Sequence, residues 1–313
     1  MLDPRQVPMQ AGTPMTAETH ASPLRAYVLL TLTALCWGAN AVLGRVAVGE
    51  ISPMALVSAR WFGVVLLVAV FAREPVRRDW HILKTRLVYL AAMGTLGFSI
   101  FNGMFYVAAH YATAVNIGII QGSIPVYVLI GVFVIHRTPV TKLQLAGVLV
   151  TMAGVATVAS AGDLQRLSAL AIGQGEVLVV AACLLYAGYT VGLRSRPAVS
   201  SLGLFTVMAG AAFLVSLPMV GAEIVLGQFQ APTPLGWLVV VLVALFPSLL
   251  GQIFFMQGVE MIGPGRAGLF VNLVPVFAAI LGVVILSEPF ETYHGAALGM
   301  VLGGIWLAER GNA

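Results

Sequence analysis

Arg60 stands seven residues beyond Pro53 inside an otherwise apolar run. A charge at that depth is expensive unless it is paired, hydrated or used. Two roles fit it: anchoring, by snorkelling or by bonding loop carbonyls, or gripping a carboxylate with its planar fork. Ser99, Asn102 and Tyr106 recur at helical spacing in one apolar segment, and Ser248 and Gln252 do so in another. Residues three and four apart share a helix face. Asn102 and Gln252 are 150 positions apart, a spacing that recurs below, and together they can offer donors and acceptors to a zwitterion. Helix-to-helix hydrogen bonding is the other use of such amides. Trp37, Asn40, Tyr186 and Tyr189 can form a flat aromatic wall, or pack and belt in the ordinary way. Gln121 lies one turn before Pro125, where a missing backbone donor can leave a carbonyl free. Pro125 and its counterpart Pro275 are candidate hinges or static kinks.

Chemistry that is missing narrows the reading further. All twelve Asp and Glu residues fall in the terminal tail, the connections or the outermost helical turns, so no carboxylate sits mid-run to trade protons. There is no HExxH, nucleophile elbow, Walker-type glycine loop or CxxC. The expectation is no enzyme activity, no metal and no cofactor. His81 lies in the basic connection and His110, His136 and His294 near segment ends, where solvated ends or local caps are the simplest use. Cys36 and Cys183 sit inside apolar runs as small packing residues. The glycine pairs Gly118 with Gly122 and Gly299 with Gly303 read as helix-packing sites.

The elements that must position these residues follow from composition. Hydrophobic residues make up 59% and charged residues 9%, with mean hydropathy +0.97, whereas a soluble domain carries roughly 25% charged residues. Such a chain needs a lipid bilayer around it. The net charge of +4 is spread over short connections rather than a water-facing domain, which argues against nucleic acid as partner. After a disordered tail at 1–26, ten apolar segments of spanning length follow, near 27–48, 53–72, 87–109, 114–135, 141–160, 174–193, 200–222, 234–257, 265–286 and 292–308. The basic stretch Arg73 to Arg86 reads as the one long connection. With the N-terminus inside, thirteen Lys and Arg lie on the cytoplasmic side and three, Arg45, Arg60 and Arg166, on the other, so both termini are expected in the cytoplasm.

The stretch Phe105 to Ala156 slides onto Phe255 to Trp306 without a gap, at an offset of 150. Gly118 falls on Gly268, Pro125 on Pro275, Pro139 on Pro289 and Gly154 on Gly304. Trp37 to Asn40 with Arg45 matches Tyr186 to Tyr189 with Arg194 at an offset of 149. Five spans per copy turn the second copy upside down relative to the first. The expected fold is therefore all-α and integral to the membrane: ten transmembrane helices in two inverted five-helix repeats, 27–160 and 174–309, joined by an outer linker at 161–173, around a central cavity.

Several stretches together resemble the drug/metabolite transporter superfamily, in its ten-helix EamA-type branch of bacterial exporters. They are Trp37-Gly38-Ala39-Asn40, Ser58-Ala59-Arg60-Trp61, and the join Arg137-Thr138-Pro139-Val140-Thr141 followed by Gly147 and Gly154. The join recurs as Ser287-Glu288-Pro289-Phe290-Glu291 with Gly299 and Gly304. Thr138 departs from the family pattern, which often has an acid where the second copy keeps Glu288. The resemblance implies a basket-shaped bundle in the bacterial inner membrane that exports amino acids or related metabolites, and it leans toward the aromatic amino-acid and paraquat exporters. The expected partners are a small-molecule cargo and lipid, with the chain a monomer or weak dimer. A toxic-cation exporter is the alternative cargo reading.

Overall fold

The computed structural model describes residues 23–137, 140–163, 165, 173–262, 267 and 270–310, and every regular element among them is helical. Ten helices follow in chain order: α1 Pro23–Val46, α2 Pro53–Phe71, α3 Arg73–Ala108, α4 Ala114–Ile135, α5 Lys142–Ala159, α6 Gln174–Gly192, α7 Ser201–Val225, α8 Pro234–Ile262, α9 Val274–Leu286 and α10 Thr292–Arg310. The first eight are long and apolar enough to cross a membrane, and α9 is a shorter apolar helix. Their outward surfaces carry Leu, Val, Ile and Phe side chains left exposed by the protein, such as Leu66, Leu149, Leu214 and Val284. Lipid is the medium that such a surface fits.

The pairing of helices is two-fold symmetric. α1 packs on α8 and α9, and its counterpart α6 packs on α3 and α4; α2 meets α7, and α5 meets α10. The α5–α10 seam is the tightest: a methyl on Gly147 would lie 2.4 Å from the Gly304 carbonyl oxygen, so only glycine allows the backbones to approach this far. Gly118 and Gly122 also pack closely, against Ala278 and Val301. Gly299 and Gly303 do not, because nothing lies within 4 Å of either. Gly304, about 100° further round the same helix, is the residue that faces the seam.

Three boundaries differ from the sequence reading. α1 begins at Pro23, inside the expected tail, whose remaining positions lie outside the described residues, as does most of the 161–173 linker. The basic stretch is not a loop: Arg73–Leu83 is helical and runs through a 3-10 turn at Lys84–Arg86 into the span. At 36 residues, α3 is about 54 Å long against a hydrocarbon core of roughly 30 Å, so its first turns lie beyond the apolar slab. They are amphipathic, with Asp79 and Leu83 buried and Arg77, Arg78 and Trp80 exposed. α4 is broken at Gly122–Ser123, and Pro125 stands in the first turn of its second segment, where a missing N–H leaves no bond unmade. Pro275 occupies the same place in α9.

α3 and α8 each contain a π-helical segment, Thr95–Ile100 and Ala244–Leu250. Ser99 and Ser248 correspond at an offset of 149, whereas Asn102 and Gln252 correspond at 150. The change falls inside these segments, six residues long in one copy and seven in the other. A π turn is an α turn that has absorbed an extra residue, so the register of the duplication shifts where the winding does.

Candidate functional site

A cavity of about 490 Å³ lies between the repeats, within the range of small-molecule sites. Trp37, Asn40, Arg60, Asn102, Gln121, Tyr186, Tyr189, Ser248, Gln252 and Pro125 all line it. Ser99 and Tyr106 do not. Ser99 lies within the π segment, which turns it off the face of Asn102, and its Oγ donates to the Ala212 carbonyl on α7. Tyr106 is 2% exposed and stands behind the wall, bonded to the groups that form it. Pro275 also lies outside the lining.

Arg60 organises the polar side. It is 5% exposed. Its Nε donates to Ser248 Oγ at 2.6 Å, and its Nη1 to Asn102 Oδ1 at 2.6 Å, Tyr106 Oη at 2.5 Å and Asn40 Oδ1 at 3.3 Å. Tyr106 in turn donates to Asn40 Oδ1 at 3.0 Å. The guanidinium lies over the rings of Trp61 and Tyr106, at 5.3 and 5.9 Å from their centroids. These partners are neutral, and among the described residues no carboxylate lies within 4 Å of Arg60. The remaining nitrogen, Nη2, makes no hydrogen bond to a described residue. Arg60 lines the cavity, so this nitrogen is the donor left for whatever enters.

The π segments build the site. Winding a helix to i+5 leaves carbonyls that side chains can claim. Ser248 Oγ donates to Val243 O at 2.5 Å, five residues back, which fixes its lone pairs toward Arg60. Asn102 Nδ2 donates to Phe98 O at 2.5 Å, which turns Oδ1 the same way. Trp37 Nε1 donates to Pro247 O at 3.1 Å, holding the indole on the wall.

The apolar side is aromatic, and sequence reasoning found only part of it. Tyr186 and Tyr189 face Phe101 and Phe98 with centroids 4.9 and 5.5 Å apart, Trp61 stacks on Phe98 at 4.7 Å and 10°, and Phe255 packs on Trp37. Trp61, Phe98, Phe101, Phe205 and Asn272 line the cavity without having been singled out. Trp61 was in view, one residue after Arg60. Phe98 and Phe101 are three apart and share a face by ordinary helical spacing, but in so apolar a run nothing in their residue type sets them apart from packing phenylalanines. Gly97 admits Tyr189, since a methyl there would lie 2.4 Å from the phenol ring. Gln121 Oε1 is buried with no hydrogen-bond partner, and neither Tyr hydroxyl nor the Gln252 amide has one among the described residues.

The bundle is sealed at one end. Glu288, after α9, accepts from the backbone N–H of Ala114 at 2.9 Å and Val115 at 3.0 Å, capping α4 of the other repeat. Arg45 stands 3.8 Å from it and donates to Ala109 O. Glu223, near the end of α7, accepts from Ser52 Oγ and from Met54 and Ala55 N–H, capping α2. Asn116 joins Glu176 at 2.8 Å and His294 at 2.9 Å. Fully buried Phe105, Ile117 and Ile120 fill the space between this end and the cavity. The cavity lining runs the other way, to Leu193 at the end of α6 and Ala308 near the end of α10. At that end Asp79 accepts from Ser200 N and Oγ at 2.8 and 2.5 Å, joining the start of α3 to the N-cap of α7.

Two-fold paired helices of spanning character around a polar-lipped aromatic cavity define a membrane transporter built from a duplicated unit. Comparison with known sequences narrows that class. The EamA-like transporter family matches residues 24–160 and again 173–309, and the chain belongs to it, within the drug/metabolite transporter superfamily. Uncharacterized transporter YetK of Bacillus subtilis is 30% identical over 90% of this chain and 86% of its own length. Uncharacterized transporter YyaM of the same organism is 27% identical, over 91% and 94%. Uncharacterized inner membrane transporter YedA of Escherichia coli is 23% identical, over 89% and 88%. A solved crystal structure has a TM-score of 0.59 to this one at 20% identity, over 90% of this chain and 96% of that one, which supports the fold.

Proposed function

We propose that the protein exports small metabolites with a large apolar or aromatic body and a carboxylate, amino acids among them, by alternating access between its inverted repeats. The observation that carries this reading is Arg60 Nη2: a buried cation with one nitrogen that no described residue bonds, at the edge of an aromatic-walled cavity. A carboxylate complements that nitrogen, and the rings suit an apolar body. The inner membrane is the proposed location, in line with the name of the relative from Escherichia coli, and the Lys and Arg bias favours both termini in the cytoplasm. In that orientation the sealed end is outward and the cavity extends toward the cytoplasm, as an exporter must present itself to load. Pro125, just after the break in α4, and Pro275, in the first turn of α9, are the proposed hinges.

With no acid among the described residues that line the cavity, movement down the cargo gradient or exchange is the proposed coupling. A cation exporter is disfavoured by Arg60 itself. Purified protein in liposomes, tested by counterflow of labelled amino acids, checks the reading. Aromatic or large neutral amino acids are expected to exchange, and Arg60→Ala, Asn102→Ala and Gln252→Ala to lose most of that exchange. Uptake seen only with an imposed pH gradient overturns the uncoupled mechanism, and competition by organic cations overturns the cargo class.

A further inference from the structure

We infer that the preferred cargo is a monoanion, an aromatic or bulky apolar carboxylic acid without the α-ammonium, rather than a zwitterion or a cation. This rests on the cavity being the transport site. Every described polar residue in the lining is either Arg60 or neutral, with Gln252, Tyr186, Tyr189 and Asn272 among the neutral ones. Among the described residues no Asp or Glu lines the cavity. The carboxylates that the fold encloses wholly or in part are held elsewhere, Glu223 and Glu288 by backbone N–H groups at the sealed end, Glu176 by Asn116 and Asp79 by Ser200.

Among the described residues the cavity therefore carries one positive charge, that of Arg60, with no carboxylate to balance it. A buried ion without a counter-ion is unfavourable, and a carboxylate entering beside it relieves that state. An ammonium on the same cargo adds a second positive charge to the same low-dielectric space, with only neutral acceptors to receive it. The aromatic body contributes equally in either case. Discrimination thus falls on the ammonium, the part of an amino acid that this cavity leaves uncompensated.

Three probes share a phenylethyl body and separate the charges: 3-phenylpropanoate has only the carboxylate, phenylalanine has both groups, and phenethylamine has only the ammonium. Their affinities are measured on the purified full-length chain, and counterflow of each is measured in liposomes. The expected order is 3-phenylpropanoate tightest, phenylalanine at least about tenfold weaker and phenethylamine weakest. Gln121→Glu, which places an acid in the cavity, is expected to shift the ratio toward phenylalanine by about tenfold. Arg60→Lys keeps the charge and is expected to keep the order while weakening all carboxylate binding. Phenylalanine binding as tightly as 3-phenylpropanoate, or tighter, overturns the inference and leaves the transport reading standing. Failure of all three to bind or exchange overturns that reading as well.

Discussion

The two ends of the bundle use polar groups in opposite ways. At the sealed end, Glu223 and Glu288 each accept from backbone N–H groups at the start of a helix in the other repeat, and Asn116 bonds to both Glu176 and His294. In the cavity, Arg60 Nη2, Gln121 Oε1 and the Tyr186 and Tyr189 hydroxyls have no described partner. Carboxylates that accept from helix N-termini stabilise them through both hydrogen bonding and the helix dipole. A satisfied group holds two repeats together; an unsatisfied one is available to cargo. The difference locates closure at one end and recognition at the middle.

Breaking the sealed end should have the largest effect. Glu288→Ala leaves the Ala114 and Val115 N–H groups and Arg45 without their acceptor, and unfolding in detergent is expected to become easier by about 2–4 kcal/mol. An Ala109→Cys reporter beside it should then react faster with a water-soluble thiol reagent. An unchanged rate would mean that Glu288 does not hold this end shut. On the cavity side, Gly97→Ala pushes a methyl against Tyr189. Cargo affinity is expected to fall about tenfold from the displaced wall, with a stability loss of about 1–3 kcal/mol, checked by binding and thermal unfolding. Tyr186→Phe removes one unpartnered hydroxyl and keeps the ring. If that hydroxyl is available to cargo, affinity changes about two- to fivefold while the unfolding midpoint stays put.

The smallest expected effect concerns Asp79 at the open end. Its carboxyl is lowered to about 2 by the Ser200 hydroxyl, then by the Ser200 backbone N–H and Arg78. A lowered acid stabilises the fold fully above its ordinary value of 3.8, and that contribution disappears as pH falls toward 2. Asp79→Asn should therefore lower the unfolding temperature slightly at pH 7, and the gap from the parent chain should narrow below about pH 4. A gap that is constant with pH would show that the carboxylate's charge is not what joins α3 to α7.

Much of this arrangement is legible in the chain itself. Apolar runs of spanning length and glycine and proline in register at 150 residues determine the repeats, because a bilayer leaves few alternatives to the helix. Polar residues within such runs stand out for the same reason, and nine of those singled out meet at the cavity. The losses have two physical sources. Spacing rules assume 3.6 residues per turn, so the π winding at Thr95–Ile100 hides where Ser99 turns. Hydropathy alone also treats Arg73–Leu83 as a connection, although Asp79 and Leu83 facing inward make it a packed helix.

The wide turns in α3 and α8 carry a consequence for how such a protein changes over generations. A residue inserted into an ordinary span rotates everything beyond it by a quarter turn or more and exchanges lipid-facing for inward-facing surface. Ala244–Leu250 has taken up one residue more than Thr95–Ile100, and Gln252 still reaches the same hollow as Asn102. The slack lets mutation redraw the lining one letter at a time while the outer coat keeps its phase.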